Sequence, residues 1–135
     1  MPRIRPMLFA RLSGVLATAV ACSTQAPTIP DCTGAVSVAA TAGTTPRFSW
    51  TPACQLEGLV VALPGPGAIV WNVASPTQAN SISPGVTYGV TPKGAALVTV
   101  ATQLSIGTPY TVTVFWFDDG HGGSVQSAGS LTFTP

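Results

Sequence analysis

Short runs of β-branched and aromatic residues, separated by turn-forming residues, are the dominant pattern of the chain beyond residue 32. Clusters of Gly, Pro, Asn or Ser bound these runs, which is typical of strands. Pro and Gly recur too often in the same stretch for a long helix interior. Seven strands are predicted, at residues 35–40, 47–51, 58–63, 69–73, 86–91, 110–117 and 130–134.

The run at residues 110–117 shows the clearest alternation of side chains. Successive side chains of a strand point to opposite faces of its sheet, so this run divides into two sets. Seven short strands at this spacing favour an all-β fold, an antiparallel β-sandwich. One face of the run carries Tyr110, Val112, Val114 and Trp116, and the other carries Thr111, Thr113, Phe115 and Phe117.

Two segments of the chain resemble the fibronectin type III family of immunoglobulin-like sandwiches. Phe48-Ser49-Trp50-Thr51-Pro52 is similar to the second strand of that family, and residues 104–114 resemble its Leu-x-x-Gly-Thr-x-Tyr-x-Val-x-Val signature. The resemblance covers residues 34–135, within a domain predicted over 32–135. It implies that Trp50 packs in the core and that Tyr110 forms a tyrosine corner, its hydroxyl bonded to upstream backbone. The third predicted strand departs from the family because it lacks aromatic residues.

The N-terminal segment has the charged-then-apolar order of a secretory signal peptide. Three arginines, at positions 3, 5 and 11, precede the apolar run 12–21, which is too short to span a membrane. Ala19-Val20-Ala21-Cys22 resembles a bacterial lipobox, with Ala19 in place of the usual Leu. The resemblance implies a signal peptide over 1–21, lipidation of Cys22 and a tether over 22–31. The alternative is an ordinary signal peptide cleaved at an Ala-x-Ala site.

The cysteine count favours the lipoprotein interpretation. The chain has three cysteines, and an odd free thiol is a liability in an exported protein. If Cys22 carries lipid, Cys32 and Cys54 remain as a predicted disulfide pair. A metal site at these two cysteines is the competing interpretation, but neither the Cys-x-x-Cys spacing nor a nearby His supports it.

Length and charge narrow the classes of function. A chain of 135 residues allows about one domain, and only 7% of the residues are charged. Removal of residues 1–21 leaves Arg47 and Lys93 as the basic residues against four carboxylates, which changes the formal net charge from +1 to −2. No nucleic-acid partner is expected, and attachment to a membrane is expected only through the N-terminal lipid.

Candidate chemistry is sparse. The only histidine, His121, lies in the Gly-rich segment 117–123 together with Asp118 and Asp119. No nucleophile motif accompanies it, so we expect no catalytic residues, no metal, no cofactor and no enzyme activity. The two aspartates offer an alternative as calcium ligands, but Asp-Gly and Gly-Gly favour a hairpin turn here.

The expected function is that of a lipid-anchored protein of the bacterial cell envelope, on the outer membrane or cell surface, which acts as a non-catalytic protein- or glycan-binding module. The alternative is a structural accessory subunit of an envelope assembly, without its own ligand. If the tyrosine-corner resemblance sets the core face, Phe115 and Phe117 stand outside, and with Trp71 they form a candidate binding patch. Coverage of these rings by the connection 94–106, or a shifted register, is the competing interpretation.

Overall fold

The computed structural model describes residues 27–120 and 122–135. Within that part of the chain the regular structure is entirely β, and no helix has the length and apolar character needed to cross a membrane. The eight strands are β1 (Ser37–Ala40), β2 (Arg47–Thr51), β3 (Gly58–Ala62), β4 (Ile69–Ala74), β5 (Val86–Thr87), β6 (Ala96–Thr99), β7 (Tyr110–Asp118) and β8 (Ser124–Phe133).

The strands form two antiparallel sheets. One sheet has the order β1-β2-β5, and the other has the order β6-β4-β3-β7-β8. Consecutive strands β1 and β2, β3 and β4, and β7 and β8 are hairpin partners, whereas β3 also pairs with β7 across a long sequence separation. The predicted all-β antiparallel sandwich is confirmed.

Seven of the strands overlap the predicted runs, and β6 is additional. β5 covers only the first two residues of its predicted run, and β8 begins six residues before its predicted run. Residues 94–106 were expected to form only a connection, but Ala96–Thr99 pairs with β4 and becomes an edge strand of the sheet. Residues 96–99 show no alternation of polar and apolar side chains. Leu97 and Val98 are both exposed, and the pairing register shifts between Leu97 and Thr99. Alternation arises when one face of a strand is buried, and this strand has no buried face at these two residues.

The core lies between the inner faces of the two sheets. Alternate residues of β3, β4 and β7 point inward, which gives three central strands with a strict inner row. Each fully buried aliphatic or aromatic side chain contributes roughly 1.5–3 kcal/mol to the free energy of folding. The five-stranded sheet supplies Leu59, Val61, Trp71, Val73, Val112 and Val114, and the three-stranded sheet supplies Phe48, Trp50 and Val86.

One end of the sandwich, here called the corner end, is closed by aromatic side chains around Tyr110. The Tyr110 hydroxyl accepts a hydrogen bond of 3.1 Å from the backbone N–H of Ser105, five residues upstream. The Phe133 ring lies between Phe48 and Tyr110, with centroid distances of 5.4 and 6.0 Å respectively. Leu104 is buried beside this cluster of core residues. The arrangement has the geometry of a tyrosine corner, as the sequence resemblance implied.

The two sheets are joined along one edge by β8. The backbone N–H of Val36, just before β1, donates a hydrogen bond of 2.9 Å to the Ala128 carbonyl. The β7–β8 pairing is irregular at this point, and Gly129 lies so close to the Val36 carbonyl oxygen that a Cβ would collide with it. A glycine is therefore required where the edges of the two sheets meet.

Candidate functional site

The other end of the sandwich, here called the loop end, contains the β2–β3, β4–β5 and β7–β8 connections. They meet because β3 begins where β4 and β7 end: Gly58 pairs with Ala74 on one side and with Phe115 on the other. The chain also enters here, since Asp31 forms a bridge with Gln55. All four carboxylates of the sequence lie at this end, namely Asp31, Glu57, Asp118 and Asp119.

Glu57 lies at the loop end, immediately before β3. The pairing register places Leu59 between Val73 and Val114. The backbone N–H of Glu57 donates to the Phe115 carbonyl (2.9 Å) on the β7 side, and its carbonyl accepts from the Ser75 N–H (2.7 Å) on the β4 side. Because the N–H and the C=O of one residue point to the same neighbour in a regular strand, Glu57 interrupts the ladder, and both Glu57 and Gly58 lie opposite Phe115.

The Glu57 residue is mostly buried, but its carboxyl oxygens are not among the inaccessible side-chain atoms that lack a partner; in the described part of the chain only the Trp71 indole nitrogen is. The residue is 9% exposed, and within residues 27–120 and 122–135 its carboxyl group forms no hydrogen bond or ion pair. Desolvation by burial raises the pKa of this carboxyl above its ordinary value. Ser75, whose backbone N–H binds the Glu57 carbonyl, is 7% exposed. Trp116 is half-buried and packs against the margin of the core.

The β4–β5 connection is shaped by two short polar side chains. The Ser75 hydroxyl accepts hydrogen bonds from the backbone N–H groups of Thr77 (3.4 Å) and Ala79 (3.3 Å). Asn80 then takes the place of a neighbouring strand beside Phe117, because its amide donates to the Phe117 carbonyl (3.0 Å) and its oxygen accepts from the Phe117 N–H (2.7 Å). The connection is thereby fixed to β7 through backbone groups, independently of the Phe117 ring.

A disulfide and an indole fix the β2–β3 connection. Cys32 and Cys54 are joined, with an S–S distance of 1.98 Å, as predicted from the cysteine count. The buried Trp50 indole N–H donates a 2.7 Å hydrogen bond to the Cys54 carbonyl. The backbone N–H of Gln55 donates to Pro30 (2.7 Å), so the last residues of the predicted tether are already attached to the domain.

A shallow groove of about 470 Å³ lies beside the β4–β5 connection. Its wall is formed largely by small residues and includes the only lysine of the chain, Lys93. The Ser81 hydroxyl donates a 2.6 Å hydrogen bond to the Gly94 carbonyl across it. No ion pair joins Lys93 to a carboxylate in the described part of the chain, so this cation does not neutralise Glu57.

The connection between β7 and β8 contains Asp118, Asp119 and His121, the candidate residues for catalysis or calcium binding. Asp118 accepts a 3.1 Å hydrogen bond from the Gly120 N–H, and Gly122 and Gly123 have positive φ angles of 87° and 71°. These features are those of a tight turn between paired strands. His121 lies outside the described residues. Among the residues that are described, no group of three or more His, Cys, Asp or Glu side chains is placed to hold a metal ion.

The candidate binding patch is only partly assembled. Phe115 and Phe117 are half-buried and do not belong to the side chains that pack against the core, in agreement with the predicted outer face of β7. The inclusion of Trp71 was wrong: it is fully buried, because it pairs with Val61 on the inner face and packs edge-on against Tyr88 at 5.2 Å. β6 belongs to the connection that was expected to cover the rings. In the sheet, β4 and β3 separate β6 from β7.

Glu57, Ser75 and Asn80 were not predicted from the sequence as residues of a site. A signal for Glu57 was present, because it is the only glutamate and immediately precedes the apolar strand β3. Asn80 carried no such signal, since its partner Phe117 is 37 residues away in the sequence.

Comparisons with known proteins give no family for this chain. No family model matches the sequence, and neither the curated proteins nor the solved structures contain a significant match. Cys22 and the predicted signal peptide at residues 1–21 lie outside the described residues.

Proposed function

We propose that this chain is a lipid-anchored protein of the bacterial cell envelope, on the outer membrane or cell surface. Its sandwich serves as a fibronectin type III-like, non-catalytic module that binds a protein or a glycan. The observation that carries the anchoring part is the Cys32–Cys54 disulfide. It uses two of the three cysteines of the sequence, so Cys22, at the end of the charged-then-apolar segment, has no second cysteine left in the chain.

The family assignment is supported by two features together. Trp50 is buried on β2, and the Tyr110 hydroxyl binds backbone upstream of β7, which are the positions that the sequence resemblance assigns to them. The strand β6, placed between β5 and β7 in the chain and beside β4 in the sheet, is an addition to the seven predicted strands.

The binding part is supported by the outer face of the five-stranded sheet. Phe115 and Phe117 place two half-exposed rings on one strand of a body with few charges. Partly exposed aromatic side chains of this kind are enriched in protein interfaces. The scarcity of acids, bases and nucleophiles supports a module without catalysis.

Mass spectrometry of the native membrane fraction tests the anchor. We expect a lipid-bearing peptide that begins at Cys22, and a Cys22→Ser variant that leaves the membrane fraction. Detection of an unmodified mature chain that begins at another residue would contradict the proposal.

Capture of partners from solubilised envelope tests the binding surface. Phe115→Ser with Phe117→Ser is expected to abolish capture while the thermal unfolding transition is retained, since the bonds to Asn80 involve only the Phe117 backbone. Thr111→Ser with Thr113→Ser is the matched control, because these residues share the outer face of β7 and lose only methyl groups. Full capture by the double Phe variant would exclude this surface.

The same experiment separates the module from a structural accessory subunit. The exposed apolar side chains of the β6 region, Leu97, Val98 and Val100, favour the accessory as a second candidate. A stable stoichiometric complex is expected of an accessory subunit. Weak or transient capture, or binding to a glycan array, is expected of a module.

A further inference from the structure

The two long sides of the sandwich, where the edge strands of its sheets lie, are closed to different degrees. On one side β1 and β8 are joined, because the Val36 N–H donates a 2.9 Å hydrogen bond to the Ala128 carbonyl. On the other side β5 and β6 end the two sheets, and a side chain links them: the Tyr88 hydroxyl donates a 2.7 Å hydrogen bond to the Thr102 carbonyl. On this second side, here called the open side, β6 has no neighbour beyond β4 among the described strands.

The open side also carries exposed apolar side chains. Eight large hydrophobic residues of the described chain are exposed, and four of them lie between residues 90 and 100. A Cβ at Gly89 would lie 3.6 Å from the Ala101 Cβ, which places the segment around residue 90 beside the end of β6. A cluster of exposed apolar side chains on a protein with few charges marks an interaction site. The four residues are Val90, Leu97, Val98 and Val100.

The segment 95–101 lacks the residues that normally keep an edge strand from pairing. Natural edge strands carry charged side chains or Pro, twist away through a bulge, or are covered by another element. β6 is short and its register with β4 shifts, but residues 95–101 contain no charged residue, no Pro and no Gly. An uncharged edge of this composition is complementary to the backbone of a further β-strand.

We propose that the open side is the interface of a homodimer, in which β6 pairs antiparallel with β6 of a second copy about a two-fold axis near Val98, the middle residue of the segment 95–101. The inference goes beyond the proposed function and does not depend on the lipid anchor. A two-fold axis between antiparallel strands runs perpendicular to their sheet, so the two chains enter the dimer at the same height along that axis. Attachment of both copies to one membrane is compatible with this arrangement.

The closed side of the sandwich limits the pairing to two copies. Edge pairing continues into open assemblies where both edges of a sheet are free. Here β8, the other edge of the five-stranded sheet, is held against β1, so each copy offers one edge of this sheet. A single self-complementary edge gives a closed, two-fold dimer.

The distribution of charge favours a second copy in this orientation. All four carboxylates lie at the loop end, whereas Arg47 begins β2 at the corner end. β6 runs from the loop end toward the corner end, because Ala96 pairs with Ala74. Antiparallel pairing therefore places the acidic end of one copy beside the corner end of the other and keeps the two acidic ends apart. The uncharged segment 95–101 brings no like charges together at the axis.

Sedimentation of the full chain in density-matched detergent tests the dimer. We expect a monomer–dimer equilibrium, and Val98→Lys is expected to weaken dimerisation by roughly tenfold or more, because each introduced charge faces its own copy. Ile106→Lys is the matched control, since it introduces the same charge at a more exposed residue outside the interface and should change dimerisation by less than about twofold. Both variants should retain the thermal unfolding transition. A native chain that stays monomeric, or equal weakening by the two variants, would overturn the proposal.

A mixture of two charge variants identifies the occupant as a second copy. Val98→Glu alone should be as monomeric as Val98→Lys, and an equimolar mixture should recover a heterodimer, since opposite charges then meet at the axis. Incidental sharing of a detergent micelle by two chains would respond to neither substitution. A mixture that stays monomeric, or a monomeric native chain that binds a different protein through Val98, would refute the pairing of two copies.

Amide hydrogen exchange separates strand pairing from contact between side chains alone. In the native chain, protection of the backbone amides of residues 96–100 is expected to increase with protein concentration, while residues 105–108 stay unchanged. Protection that does not depend on concentration at residues 96–100 would contradict pairing through the β6 backbone.

Discussion

At the corner end, the core is closed by aromatic side chains packed on one another; at the loop end, connections between strands meet around polar side chains. Phe48 and Tyr110 are nearly inaccessible and Phe133 fills the space between them. The Tyr110 hydroxyl is bonded to the Ser105 N–H, whereas the Glu57 carboxyl forms no hydrogen bond and its oxygens are not among the inaccessible, unpartnered atoms of the described residues. The corner end is therefore sealed by packed rings, and the loop end keeps a carboxyl group open to solvent.

This difference shows that the two ends of the sandwich are stabilised by different means. Burial of apolar area and a satisfied hydroxyl both stabilise the corner end. The loop end instead relies on a disulfide and on hydrogen bonds between connections, which hold its backbone in place.

The largest effect is expected from removal of an aromatic ring at the corner end. Phe48→Ala should lower the free energy of unfolding by about 3–5 kcal/mol, because it deletes a fully buried ring that also supports Phe133. Phe117→Ala is the matched control on the outer face and should cost about 1 kcal/mol or less. Denaturant unfolding measures both, and equal costs would contradict the placement of Phe117 outside the core.

The disulfide should matter next, and mainly at the loop end. Cys32→Ala with Cys54→Ala is expected to lower the free energy of unfolding by about 3 kcal/mol, as estimated for a loop of this size. Hydrogen exchange should show loss of protection at Gln55 and Glu57 before any change at Ser105. Uniform loss of protection across both ends would show that the two ends unfold as one unit.

A smaller effect is expected at the tyrosine corner. Tyr110→Phe leaves the Ser105 N–H without its acceptor while it keeps the ring, so we expect a loss of about 1–2 kcal/mol. Thermal unfolding measures this loss. Thr111→Val, on the neighbouring outward position, provides the control because its bond to Thr132 is solvent-exposed. A neutral Tyr110→Phe change would indicate that the corner is held by packing alone.

The smallest effect, and one of opposite sign, is expected at Glu57. Its folded-state pKa is raised by burial, so the folded protein binds more protons than the unfolded chain above about pH 4. Stability therefore falls as the pH rises through the raised pKa, and then levels off. Glu57→Gln should lack this component, so that the variant becomes relatively more stable toward neutral pH. Unfolding curves between pH 4 and pH 8 that stay parallel for the two proteins would contradict desolvation of the Glu57 carboxyl.

The sequence predicted strands most accurately where one face is buried. β2 alternates throughout and β7 alternates as far as Val114, and their predicted bounds agree with the structure to within one residue. β6 was missed because both faces of this edge strand are exposed at Leu97 and Val98. Trp71 was wrongly predicted to lie on the surface. Alternation within β4 shows that the strand has two faces, but it does not show which face packs against the other sheet.

The all-β class and the alternation along β7 could be predicted from local periodicity, the cysteine pair from a residue count, and the corner tyrosine from the resemblance of residues 104–114 to a family signature. Each of these depends on residues that are close in sequence or on a count. The long-range contacts could not be predicted in this way: the Glu57 backbone lies between Ser75 and Phe115, and the Asn80 side chain binds the Phe117 backbone. These neighbours come from strands and connections far apart in the chain, and only the pairing of β3 with both β4 and β7 brings them together.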